Sequence, residues 1–175
     1  MSNFEVMLTG GHPNSLGKTL EVVAIVLAEP RHLEILYKCY SSDDEVVRMR
    51  TSNAMKRIQA KNPELLLSYI DRFIAEVSKI DQASAQWTLA QLFRRMAPSM
   101  KQGQRKKAET ILKRNLATHT DWIVLNMTMD TLSFWAKEKA SLRMWLRPHL
   151  ERLSTDERGS VAKKAKNCAA MLDSL

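Results

Sequence analysis

The residues near the start of the chain with the most chemical potential are Gly10, Gly11, Gly17, Lys18 and Thr19. They follow Phe4-Glu5-Val6-Met7-Leu8, readable as a short strand, and lead into an apolar stretch that reads as a helix. A phosphate-binding loop has this order, because its backbone N–H groups and a lysine cradle the anion. The pattern fails by one residue: it requires glycine at position 12, where His12 stands. Nothing downstream supplies the parallel strands, or the acid at a strand end, that nucleotide hydrolysis needs. Residues 1–14 are therefore expected to form a flexible leader, followed by a helix capped by Asn14 or Ser15.

The remaining reactive side chains are scattered. His12, His32, His119 and His149 show no metal-ligand spacing with cysteine or acids. Cys39 and Cys168 fall on separate expected helices at apolar positions, where thiols behave as small hydrophobes. Asp43-Asp44-Glu45 clusters carboxylates, but beside Arg48 it reads as the acidic first turn of a helix. No nucleophile motif is present. The expectation is a protein without catalytic residues, metal or cofactor.

Charge is more informative. The formal net charge of +8 is uneven: residues 1–87 hold 10 Lys/Arg against 11 Asp/Glu, and residues 88–175 hold 17 against 8. Such a field suits an anionic partner, or serves as a solubilising surface. The candidates for anion binding are Arg105, Lys106, Lys107, Lys113 and Arg114, followed by Arg143, Arg147, Arg158, Lys163 and Lys164.

The elements that must position these residues recur along the chain. An apolar template with offsets 0, +4, +7, +8 and +11, one face of a helix, appears four times, at starts 38, 40 and 36 residues apart. Its copies are Val47-Thr51-Ala54-Met55-Ile58, Ala85-Leu89-Leu92-Phe93-Met96, Leu125-Met129-Leu132-Ser133-Ala136 and Val161-Ala165-Cys168-Ala169-Leu172. Four residues before each start stands an acid, Asp43, Asp81, Asp121 or Glu157, suited to cap an incoming helix, with Asp156 able to replace Glu157. Partner stripes lie between the copies: Leu33-Leu36-Tyr37-Tyr40, Leu66-Ile70-Phe73-Ile74-Val77, Ala108-Ile111-Leu112-Leu116 and Leu142-Trp145-Leu146-Leu150-Leu153. Asn62-Pro63 reads as a helix start. Pro98 and Gly103 mark a boundary between hairpins, and Pro148 is expected to bend or break its helix. An extra leading helix carries Leu20, Val23, Ala24 and Leu27.

The segment from Tyr40 through Asp43-Asp44, Val47-Arg48 and Ala54-Met55 to Ile58, ending at Asn62-Pro63-Glu64, resembles the second helix of a HEAT repeat and the start of the next. Later copies keep the period but carry Gln86, Asn126 and Ala162 at the place of Arg48. The resemblance implies an all-α fold: a right-handed α-α superhelix of about four hairpins with an extra N-terminal helix, spanning residues 15–175. It further implies that second helices line a concave surface holding a protein or nucleic acid. Some alkylpurine DNA glycosylases are built from such repeats, with aromatic residues and an Asp on a basic concave face. Trp87, Trp122, Trp135 and Trp145 invite that comparison, with Asp130 two turns from Trp122. The acid at one-turn spacing is missing, since Gln91 follows Trp87 and Asn126 follows Trp122.

The expected function is a non-enzymatic scaffold module binding a protein partner; the alternative is a nucleic-acid binder using the basic second half. No apolar run suits a membrane span and no basic region suggests a secretory signal, so a cytoplasmic location is expected.

Overall fold

The four templates each become a helix because their apolar positions repeat at helical spacing, and burial selects that face. They lie on α4 (Glu45–Lys61), α6 (Ala83–Met96), α8 (Trp122–Ala136) and α10 (Gly159–Asp173). Every template position is buried except Ala169, which is half-buried. The partner stripes occupy α3 (Leu33–Lys38), α5 (Ile70–Ala75), α7 (Gln102–Thr118) and α9 (Ala140–Ser154), with short 3-10 turns extending α3 and α5. Two further helices, α1 (Asn3–Leu8) and α2 (Thr19–Ala28), precede them. This computed structural model describes residues 3–12 and 15–174, and the regular structure among them is entirely helical. None of these helices is long and apolar enough to cross a membrane.

The helices gather into two compact units, Met1–Thr88 and Leu89–Leu175, with the boundary inside α6. In the first unit, α4 packs against α1 and α2. In the second, α8 and α10 pack together and both pack on α9, while α7 covers α8.

The N-terminal segment differs from the flexible leader and short strand expected of it. Phe4 and Leu8 stand four residues apart, so a helical turn brings both to one face, and both are buried. The Phe4 ring meets His32 edge-on, with centroids 6.0 Å apart. Asn14, one of the two expected caps, lies outside the described residues. Ser15 does not cap α2; its hydroxyl accepts from the Gly17 N–H at 3.0 Å. The buried face of α2 also differs: it is Thr19, Val22, Val23 and Val26, while Leu20 is 52% exposed. This helix is apolar almost all round, so its period did not define a face.

The expected caps shift in the same way. Asp121 caps α8, accepting from Ile123 N at 2.8 Å and Val124 N at 3.0 Å. Asp44, not Asp43, caps α4 by accepting from Val46 N at 2.8 Å. At α6 the Gln82 carbonyl accepts from Ala85 and Gln86, while Asp81 is exposed. Asp156 turns back onto Arg158 instead of capping α10. Residues 63–69 after Asn62 form a 3-10 stretch, and Gly103 sits inside α7. The helix α9 continues through Pro148. Proline removes the N–H that would serve the Met144 carbonyl; Met144 and Pro148 both lie on the exposed side, where water can serve it instead.

Arg48 ties the start of α4 to the turn between α5 and α6. Its Nε donates to Gln82 Oε1 at 2.7 Å and its Nη1 to the Ser42 carbonyl at 2.6 Å. Gln82 Nε2 returns a bond to the Glu45 carbonyl at 2.9 Å.

Candidate functional site

The template that builds the core also fixes what its opposite face presents. Positions +2 and +9 lie off the buried face, and with position +6 they line a cleft in each unit. In the first unit Asn53 and Lys56 of α4 face Trp87 of α6 across a cleft of about 230 Å³. In the second unit Gln91 and Arg94 of α6 face Met127, Asp130, Thr131 and Phe134 of α8 across a cleft of about 520 Å³.

The second cleft is the more fully built. Arg94 Nη1 pairs with Asp130 Oδ2 at 2.5 Å, and Lys164 of α10 reaches Asp130 Oδ1 at 3.3 Å, so α6, α8 and α10 meet at one carboxylate. Gln91 Nε2 lies 3.0 Å from Met127 Sδ. Behind them the buried Thr131 hydroxyl donates to the Ala90 carbonyl at 2.9 Å. Phe134 is 45% exposed, with the Arg94 guanidinium 4.6 Å and the Lys137 ammonium 5.5 Å from its ring centroid. Of these residues only Asp130 and Lys164 stood out in the sequence. The missed signal was the same template read from its polar side.

The tryptophans play separate parts. Trp135 is buried, Trp145 is half-buried against His149, Trp87 lines the first cleft, and Trp122 is exposed. Trp122 does not line the cleft that holds Asp130. The buried Asn126 Oδ1, at the place of the missing acid, has no hydrogen-bond partner.

The basic residues of the second half divide into groups. Arg105, Lys106 and Lys113 line one groove together with Lys139. Arg143 is spent on backbone, donating to the Ala136 and Lys137 carbonyls at 2.9 and 2.8 Å. Arg147 pairs with Asp173 at 2.7 Å, and Arg158 pairs with Asp156 at 2.7 Å and donates to the Thr120 carbonyl. The bonds from the Arg158 guanidinium and from its backbone N–H hold the Asp156 carboxyl down at about 2. Arg114 donates to Asn115 Oδ1, and Lys107 and Lys163 are exposed on α7 and α10.

The glycine-rich segment is organised around a cation. Arg50 of α4 is only 2% exposed. Its guanidinium donates to the carbonyls of Leu8 (2.6 Å), Thr9 (3.3 Å), Gly10 (2.7 Å), His12 (3.2 Å) and Ser15 (3.1 Å). A phosphate loop turns N–H groups inward; this one turns oxygens inward onto a protein cation. Gly10, Gly11 and Gly17 all have positive φ, and a Cβ at Gly17 would fall 2.9 Å from Arg50 Cζ.

No protein-family model matches the chain, and no curated protein or solved structure matches it either.

Proposed function

We propose that this chain is a non-enzymatic HEAT-like repeat module, a superhelix of four helical hairpins, that holds a protein partner on the exposed face of its second helices. The observation that carries the reading is Phe134, a large aromatic left 45% exposed between two cations in a cleft of repeat-equivalent positions. Aromatic and arginine side chains dominate the energetics of protein interfaces, and covering the exposed part of Phe134 recovers about 1 kcal/mol of hydrophobic free energy. The test is capture from native lysate on the tagged full chain, with and without nuclease, beside Phe134→Ala. A nuclease-resistant protein retained by the parent chain and lost by Phe134→Ala is expected; retention by both refutes the assignment of the site.

The second reading, nucleic-acid binding, rests on the charge of the second half. It is weaker because Arg143, Arg147, Arg158 and Lys164 are engaged by carbonyls and carboxylates. Duplex DNA binding whose affinity falls steeply with salt would favour it.

A further inference from the structure

A second surface has a different chemistry. Between α7 and the junction of α8 with α9 runs a groove of about 740 Å³ lined by Arg105, Lys106, Lys113, Lys139, Glu109 and Trp135. Solvated lysines on a helix are normally unrestrained; here two are pinned. Glu109 is 8% exposed, and its two carboxylate oxygens hold Lys113 Nζ at 3.0 Å and Lys139 Nζ at 2.8 Å. Burial alone would raise this carboxyl, but the bonds from Lys139 and Lys113 outweigh it and hold it below its usual value. Arg105 is held differently, its guanidinium carbon 3.7 Å from the Trp135 ring centroid. Lys106 is exposed at the edge. Four cations thus face two carboxylates, Glu109 and Glu138, an excess of two positive charges in one groove.

We infer that this groove receives one phosphoserine or phosphothreonine of a protein partner. A phosphate monoester is dianionic near neutral pH and offers three acceptor oxygens, which matches the charge excess and the preset donors. A nucleic-acid backbone would need a longer track of cations, and Arg143, Arg147 and Arg158 are committed to other partners. The groove is also larger than a phosphate, and Ala97, Met100 and Trp135 give the attached peptide an apolar wall. The inference rests on the reading of the chain as a protein-binding module, but at a site separate from Phe134.

The test is a titration of the full chain with a short Gly/Ala peptide carrying one central phosphoserine, beside its serine counterpart and inorganic phosphate. Tryptophan fluorescence is the readout, because Arg105 covers Trp135 and Lys113 Nζ lies 4.9 Å from the Trp145 ring. The phosphopeptide should perturb the emission and the serine peptide should not. Inorganic phosphate should compete more weakly than the phosphopeptide binds. Arg105→Gln with Lys106→Gln should weaken binding about tenfold or more, as expected for lost charge-assisted bonds. These two residues do not pair with Glu109, so its partners remain in place; Lys139→Gln is the second variant. Equal responses to both peptides, or a response indifferent to these variants, overturn the proposal. So does a duplex oligonucleotide that displaces the phosphopeptide with a salt slope of many phosphates. Phe134→Ala should leave this titration unchanged, so its failure is distinguishable from failure of the protein-binding reading.

Discussion

Arg50→Met tests how the N-terminal segment is held. Methionine keeps the apolar stem but removes all donors to the five carbonyls. Four of those oxygens belong to exposed residues and can return to water; the Leu8 carbonyl belongs to a buried one. A stranded buried acceptor costs about 1–3 kcal/mol, and losing the charged clamp over the loop adds to it. A hydrogen bond from a charged donor is worth about 1.5–3 kcal/mol, partly offset here because the guanidinium's own desolvation is relieved. A net loss of about 2–4 kcal/mol follows, felt first by α1 and the glycine loop. Hydrogen exchange of residues 3–12 and urea unfolding measure it. Amides of α1 should lose protection, and the unfolding midpoint should fall. Unchanged α1 protection together with a stability change within about 0.5 kcal/mol, the range of ordinary surface substitutions, would refute the reasoning. Gly17→Ala supplies the complement: a left-handed φ and a Cβ only 2.9 Å from the guanidinium carbon should cost about 1–2 kcal/mol or more. That cost should shrink in the Arg50→Met background, where the clash is relieved.

Other outcomes are equally specific. Asp121→Ala removes two N-cap bonds and should destabilise the protein by about 1 kcal/mol, whereas Asp81→Ala should be nearly neutral to thermal unfolding. Thr131→Val strands the Ala90 carbonyl and should cost about 1 kcal/mol in urea unfolding. The carboxyls of Glu34, held down by its bond from Arg72, and Asp44, held down by its bond from Thr9, lie below their unfolded values, as does Glu109. Their contribution is therefore full above the unfolded carboxylate range and lost as pH falls through the depressed values. Glu34→Gln should accordingly flatten the acid limb of the stability profile, while a limb as steep as the parent's would contradict the assignment.

The core was largely legible because four separate helices repeat one apolar face, and a face repeated at 3.6-residue spacing has only one way to be buried. Where that signal was missing, reading failed. Six residues from Asn3 to Leu8 are too few to separate helix from strand by pattern, and α2 is apolar on too many sides to show which is inward. The helix-starting acids were visible as a class, but which one caps depends on one residue of backbone geometry, as Asp43 and Asp44 show. The clefts were hidden for a different reason. The pairing of Asp130 with both Arg94 and Lys164 joins three helices through contacts more than thirty residues apart in sequence. Likewise nothing local in the sequence sets Arg105, Lys106 and Lys113 in a groove with Lys139 and aims Arg143 at a helix end. Only tertiary packing sorts cations of one composition into those that face solvent and those that close carbonyls.

A photo-crosslinking side chain placed at position 134 tests the proposed binding face most directly, with one at Met144, 70% exposed but outside the cleft, as the control. Irradiation in native lysate should give a discrete protein adduct from position 134 that survives nuclease and is absent from position 144. Equal labelling at both positions, or an adduct abolished by nuclease, would contradict a protein partner seated on Phe134.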